Sequence, residues 1–107
     1  MTKKQYRQGD VLIERVAADP RKKPHKPIPR DAGRIVLAYG ESTGHAHAIH
    51  DQTAEWIELE SGDRFVCSAA GIRLVHEEHA TVELPAGNYR ITRQREYSPE
   101  QIRNVAD

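Results

Sequence analysis

The sequence has few of the side chains that would identify a disulfide-rich, redox or membrane-spanning protein. Its 107 residues include one cysteine, one methionine, one tryptophan and one phenylalanine. The single Cys67 excludes an internal disulfide, which fits a reducing compartment, and we expect it to be a small core residue. No apolar run is long enough to span a bilayer, and no apolar stretch near Met1 resembles a secretion signal. The sequence therefore indicates a cytoplasmic protein without a membrane partner.

An excess of charge of either sign is also missing. Sixteen Lys and Arg balance sixteen Asp and Glu, so the formal net charge is +0. Such a balance is not typical of a protein that binds nucleic acid or membranes by overall charge, although local patches survive the averaging. The length allows one domain with a modest core, and we treat residues 1–107 as a single domain.

Short, β-branched apolar segments separated by turn residues run through most of the chain. Seven or eight of them predict strands, with turns at sequences such as Ser61-Gly62-Asp63. This spacing is typical of an all-β sandwich or barrel, and we expect a small barrel or jelly roll. Near the end of the chain, Ser98 and Pro99 form an N-cap and a first-turn proline, which predicts a short helix over 98–106.

Residues 17–33 differ from the rest of the chain. They contain four prolines and six basic side chains, counting His25. Since proline cannot donate to a strand ladder, we expect a long exposed loop without regular structure. Its basic residues form either a solvated surface or a contact arm for phosphate or an acidic partner. The weak candidates for such contacts, from this loop and from the last strand, are Lys22, Lys23, Lys26, Arg90 and Arg93.

What the sequence does have is histidine, concentrated in two short stretches. Three of the six histidines are His45, His47 and His50, and two more are His76 and His79. Histidine is the commonest metal ligand and also the side chain that titrates near neutral pH. Two tight groups in separate strands therefore indicate either a metal site or an acid–base site.

Strand alternation predicts which of these side chains meet. In an extended strand, His45 and His47 share a face with the apolar Ile49, and His76 shares a face with apolar side chains of its own strand. We expect that shared face to be the inner one. His79 follows in a turn and could fold over the same barrel mouth.

Three or four converging imidazoles can hold Zn, Fe, Mn or Cu and leave a coordination position open. The expected ligands of such a divalent metal are His45, His47, His76 and His79. The carboxylates expected to complete the shell or to orient the rings are Glu41, Glu77 and Glu78. The metal would act on a small molecule or sense one, and the sequence leaves both roles and the metal's identity open.

Two interpretations without a metal use the same residues differently. Two histidines in a groove beside an arginine could act as general acid and base in phosphodiester cleavage. Alternatively, the histidines are structural, and the protein is an interaction module that binds protein or RNA through the basic proline-rich loop and the arginines of the last strand. Exposed edge strands could also pair in a homodimer.

The motif Gly40-x4-His45-x-His47, followed by Pro85-Ala-Gly87, resembles a degenerate form of the two cupin signatures. The resemblance implies a small β-barrel in which His45 and His47 are the first two ligands of a divalent metal. The chain departs from that pattern in two ways. No glutamate follows His47 at the usual spacing, and Arg90 stands where the later histidine is expected. His76 and His79 would have to substitute for the missing ligands.

The order of motifs over nearly the whole chain is also similar to that of a group of short bacterial and phage proteins. Its elements run from Gln8-Gly-Asp-Val-Leu12 through Leu74-Val-His-Glu-Glu-His79 to Pro-Ala-Gly-Asn-Tyr89. That group carries no established activity. The resemblance implies a bacterial cytoplasmic protein and adds nothing about its chemistry.

Overall fold

The computed structural model describes residues 5–40 and 44–94, which fold into two antiparallel sheets. The strands are β1 (Gln5–Gln8), β2 (Val11–Val16), β3 (His25–Pro27), β4 (Ile35–Tyr39), β5 (Ala46–Ile49), β6 (Glu55–Leu59), β7 (Arg64–Ser68), β8 (Ile72–Val75), β9 (Val82–Leu84) and β10 (Gly87–Arg93). A single 3-10 turn covers Pro20–Lys22. No helix in this part of the chain is long and apolar enough to cross a membrane.

The strand order is β1-β2-β10-β7-β6-β3 in the first sheet and β4-β5-β8-β9 in the second. The all-β prediction is confirmed. The expected closed barrel is not found among the described residues, because the outer strands of one sheet form no ladder with those of the other. The result is a sandwich-like domain, and its finer cupin-like form is not confirmed. The helix expected over 98–106 lies outside the described residues.

The core lies between the two sheets, where alternate side chains of each strand point inward. Val11 and Ile13 of β2 are fully buried, and so are Ile72 and Leu74 of β8, while Arg73 between the latter two is exposed. This period of two is the pattern of a sheet with one face on a core and the other toward solvent. It also fixes the register, because a shift by one residue would turn these core side chains outward. The other face of the first sheet carries a second, smaller buried cluster, formed by Ile57, Phe65 and Cys67.

The proline-rich loop of residues 17–33 contains a short strand, so the expectation that it has no regular structure was wrong. Its short strand β3 pairs with β6 at the edge of the first sheet. The Ile28 N–H donates to the Trp56 carbonyl at 2.8 Å. Pro27 has no N–H, but it occupies a position whose N–H would point away from β6, so an edge strand tolerates it there. Arg21 holds the preceding turn by a hydrogen bond to Glu55 of β6 at 2.8 Å.

Four segments meet at one end of the sandwich: the β1–β2 turn, the start of β5, the β8–β9 loop and the end of β10. Gly9 in the β1–β2 turn has φ +57, and a Cβ there would lie 2.9 Å from His79 Nε2 and 3.2 Å from His47 Cε1. Glycine is required at this position on both grounds, since it tolerates positive φ and leaves room for the two rings. The Gln94 N–H donates to the Asp10 carbonyl at 2.7 Å and holds the end of β10 to the same turn.

Replacing Ile49 with alanine should test whether β5 is anchored in this core. Ile49 is fully buried, so we expect the free energy of unfolding to fall by about 2–5 kcal/mol, because the deletion leaves a cavity. The matched control is His50→Ala at the exposed next position, which should change stability by less than about 0.5 kcal/mol. Chemical denaturation measures both, and equal losses in the two variants would contradict this account of the core.

Candidate functional site

A polar cavity of about 280 Å³ opens where the four segments meet. A fifth segment, just after the end of β4, contributes Gly40, and the full lining is Asp10, Gly40, His45, His47, His76, Glu78, His79 and Arg93. The four histidines expected to be metal ligands therefore share one cavity, although they come from separate parts of the chain. The other two histidines, His25 and His50, do not line it.

His47, His76 and His79 form a close trio inside this cavity. The ring centroids of His47 and His76 are 4.3 Å apart, those of His76 and His79 are 4.6 Å apart, and those of His47 and His79 are 5.7 Å apart. With a metal–nitrogen distance of about 2.0–2.1 Å, imidazoles that share one ion have centroids roughly 5 Å apart. The ring spacing of the trio is close to this value, but its ligand atoms do not all lie within 4.8 Å of one another, so the rings would have to turn to share an ion. His45 stands at the edge of the trio, 5.7 Å from His76 between centroids.

Gln8 fixes the protonation state of His47. Its amide nitrogen donates to the carbonyl oxygens of Leu74 and Ala80, both at 3.0 Å, so its oxygen must face the other way. That oxygen lies 2.8 Å from His47 Nδ1 and can only accept, which places the ring proton on Nδ1. His47 Nε2 therefore carries a lone pair. Metal-ligating histidines are commonly oriented in this way, by a hydrogen bond from their other nitrogen.

His47 is held neutral by its surroundings. Only 3% of the residue is exposed, and this burial, helped by the neighbouring His76, lowers the pKa of His47 to about 4. Asp10 Oδ1 lies 3.7 Å from its Nε2. At neutral pH the ring is thus a base with a free lone pair that faces a carboxylate oxygen across the cavity.

Asp10 and Arg93 form the charged side of the cavity. Arg93 Nε donates to Asp10 Oδ2 at 2.9 Å, and Arg93 Nη2 donates to the Tyr39 carbonyl at 3.1 Å. Burial opposes ionisation of Asp10, but the hydrogen bond and the charge of Arg93 outweigh it and lower the pKa of this carboxyl. Asp10 is therefore an anion at neutral pH, with one oxygen held by Arg93 and the other directed toward His47.

The expected carboxylates Glu77 and Glu78 lie beside the second histidine stretch. The Glu78 N–H donates to His76 Nδ1 at 2.9 Å, so a neutral His76 carries its proton on Nε2. Glu78 Oε2 lies 3.8 Å from His45 Nδ1. Glu77 Oε1 accepts a hydrogen bond from the Ala46 N–H at 3.0 Å, which lowers the pKa of that carboxyl. The ligand atoms of His45, His76 and Glu77 lie within 4.8 Å of one another. His76 is therefore shared between this group and the histidine trio.

The remaining candidate residues lie elsewhere, with one exception. Glu41 is outside the described residues. Lys22 and Lys23 are exposed, Lys26 lies 4.0 Å from a carboxylate oxygen of Glu58, and Arg90 lies 3.4 Å from one of Glu14. The exception is Arg93, a candidate for a phosphate or partner contact, which lines the histidine cavity.

Gln8, Gly9 and Asp10 are the site residues that sequence reasoning missed. In the sequence they were noted only as part of the motif Gln8-Gly-Asp-Val-Leu12. A weak signal was present, because a glycine beside an aspartate marks a tight turn that could bring two strand ends to one place. Nothing local could show that this turn packs against a histidine 39 residues further along.

Comparison with known proteins assigns the chain to a family. The model of a domain of unknown function, DUF8820, matches residues 7–94, and the chain belongs to this family. No curated protein and no solved structure matches it significantly. The matched range contains Gln8 and every residue that lines the cavity, and the match itself carries no cupin or phage assignment.

The tautomers of the two central rings can be tested directly. In the metal-free protein at neutral pH we expect the Nδ1–H form at His47, because Gln8 only accepts there, and the Nε2–H form at His76. Long-range ¹H–¹⁵N correlation spectra of labelled protein distinguish these forms. Gln8→Leu should remove the preference at His47 and leave His76 unchanged. An Nε2–H form at His47 in the unaltered protein would contradict this assignment.

The low pKa of His47 should make the free energy of unfolding decrease as the pH falls below 6.5. The ring is neutral in both folded and unfolded chains above its ordinary pKa of 6.5, so its full contribution is present there. As the pH falls from 6.5 toward about 4, His47 becomes protonated in the unfolded chain but stays neutral in the folded chain. The free energy of unfolding should then fall by up to about 1.4 kcal/mol per pH unit from this group.

Denaturant titrations over that pH range provide the measurement. His47→Gln should flatten the slope, since its side chain does not titrate, whereas His50→Gln at the exposed position should retain it. Equal slopes in the unaltered protein and in His47→Gln would show that His47 is not held neutral.

Proposed function

We propose that this member of the DUF8820 family binds one divalent transition-metal ion in the histidine cavity, and that the ion activates or presents a small molecule. The proposed ligands are His47, His76, His79 and Asp10. The observation that carries the proposal is the hydrogen bond from His47 Nδ1 to Gln8, because it leaves a buried, neutral Nε2 lone pair directed at the other cavity residues.

The donor set limits the choice of metal. Three imidazoles with one carboxylate suit Zn, Fe, Mn or Cu, whereas Ca²⁺ and Mg²⁺ prefer oxygen ligands throughout. Four protein ligands leave further positions open on a five- or six-coordinate ion for water or a substrate. A metal that activates water and a metal that binds a regulatory small molecule both fit this arrangement.

The set around His47 is preferred over the overlapping group of His45, His76 and Glu77. Glu77 is exposed, and one of its oxygens is already used by the Ala46 N–H. His47 is buried, and its free nitrogen has no other hydrogen-bond partner among the described residues. His79 is exposed and His76 is half-buried, so this preference rests on His47. Since a buried ligand held in place costs less to order than a mobile surface side chain, the group that contains His47 should bind more tightly.

Coordination by His76 requires one local change. A neutral imidazole has one proton and one lone pair, and the lone pair of His76 is used by the Glu78 N–H. Metal binding at either nitrogen must therefore break that hydrogen bond. Its loss costs about 1 kcal/mol, which is small beside the free energy of a metal site.

The cupin resemblance remains part of this proposal only in its His-x-His element. That element implied that His45 and His47 are both ligands of the metal. In the proposed site His47 is a ligand from the strand, while His45, which precedes β5, lies at the rim beside Glu78 and could join the ion as an additional ligand.

A second candidate function uses the same cavity without a metal. His47 offers an unprotonated Nε2, and His76 offers an Nε2–H, with the guanidinium of Arg93 in the same cavity. A base, an acid and a cation are what phosphodiester cleavage by histidines needs. Cleavage of a generic phosphodiester that persists in excess chelator and is lost in His47→Ala would favour this alternative.

Metal titration tests the main proposal. Untagged protein stripped with a chelator should bind one Co²⁺ or Zn²⁺ per chain in calorimetry, with a visible Co²⁺ spectrum. Gln8→Leu should weaken binding by about 10–100-fold, as is usual when the group that orients a ligand is lost, and His47→Ala should weaken it further. The matched control, His50→Ala, should bind as the unaltered protein does.

His45→Ala separates the two overlapping groups. If the ion sits on the trio of His47, His76 and His79, this variant should lose much less affinity than His47→Ala. A larger loss in His45→Ala than in His47→Ala would assign the ion to the group with Glu77. Absence of stoichiometric binding in the unaltered protein would overturn the proposal altogether.

A further inference from the structure

We infer that the metal-loaded cavity binds a small oxyanion, such as a carboxylate or a phosphate, between the ion and the guanidinium of Arg93. This inference rests on the proposed function, since the ion supplies one side of the site. It adds the class of ligand, the residue that selects it and the order in which the two bind.

The charges of the lining residues set that order. Two carboxylates, Asp10 and Glu78, face one guanidinium, Arg93, so with neutral imidazoles the cavity carries one net negative charge. Such a cavity attracts a cation and repels an anion. A bound divalent ion reverses the sign and leaves one net positive charge. The anion should therefore bind after the metal and not before it.

Arg93 is held in place and still has free donors. Its Nε is bonded to Asp10 and one Nη2 hydrogen to the Tyr39 carbonyl, which uses two of the five N–H groups of a guanidinium. The other three have no partner among residues 5–40 and 44–94. A guanidinium fixed by two hydrogen bonds loses little freedom on binding a ligand, and its planar fork matches carboxylate and phosphate oxygens.

The cavity also limits the size and polarity of the ligand. Every lining residue except Gly40 has a polar side chain, so an apolar molecule would leave buried polar groups without partners. A volume of about 280 Å³ lies at the lower end of the range for ligand pockets. A small anion with two or more oxygens fits both constraints, since one oxygen can reach the ion and another the guanidinium.

Anion titrations of Co²⁺-loaded protein test the inference. Malonate and methylphosphonate represent the carboxylate and phosphate classes, and the Co²⁺ absorption spectrum and calorimetry report binding. We expect at least one of them to change the spectrum and to bind the metal-free protein far more weakly. Arg93→Gln should weaken this binding by about tenfold or more, the usual worth of a charge-assisted hydrogen-bond pair. Arg90→Gln, on the same strand but outside the cavity, is the matched control and should bind normally.

Since Arg93 also holds Asp10, the metal affinity of each variant is measured first. Should Arg93→Gln lose the ion, Arg93→Lys keeps a positive charge beside Asp10 and should bind Co²⁺ but not the anion with full affinity. Loss of the ion in both variants would mean that Arg93 serves Asp10 alone, and would overturn the inference.

The remaining outcomes distinguish the inference from the function it rests on. Protein that binds Co²⁺ but neither anion, or that binds an anion equally well with and without Arg93 or the metal, refutes the anion site and leaves the metal site intact. Protein that binds no Co²⁺ refutes the metal site, and the anion site with it.

Discussion

The hydrogen bonds of one buried amide tie the two sheets together at the end where the cavity opens. Gln8 belongs to β1 of the first sheet, and it bonds His47 of β5, Leu74 of β8 and Ala80 of the β8–β9 loop, all on the side of the second sheet. A buried polar group without a partner costs about 1–3 kcal/mol, so the loss of any of these three bonds would destabilise the contact between the sheets. Apolar packing sets the distance between the sheets, and Gln8 sets their alignment at the site.

The same cavity holds one group neutral and another charged, by opposite means. Burial lowers the pKa of His47, and the hydrogen bond and charge of Arg93 lower that of Asp10 against the effect of burial. Metal ligands must be deprotonated, so both shifts prepare their groups for coordination at neutral pH. A surface cluster of histidines and carboxylates would lack this preparation, because water would stabilise the protonated rings.

Much of the fold could be predicted from the sequence because strand alternation is a local property. Segments such as β2, β6 and β7 are short apolar runs of the predicted kind, and they form strands. The closed barrel could not be tested locally, since closure depends on whether distant edge strands pair. The sequence did not predict β3, because we expected its prolines to exclude any strand. Proline excludes a central strand but is tolerated in an edge strand, and the pairing with β6 places β3 at the edge of the first sheet.

Strand alternation could predict which histidines share a face, but not how deeply each of them is buried. Period-two alternation placed His47 and His76 on an inner face, which is where they lie. It also made His45 and His47 equivalent, yet the side chain of His45 is 23% exposed and that of His47 is 4% exposed. The difference arises because β5 begins only after His45. Spacing therefore identifies candidate residues, while burial against Gln8 and Gly9 of a distant hairpin distinguishes His47 from His45.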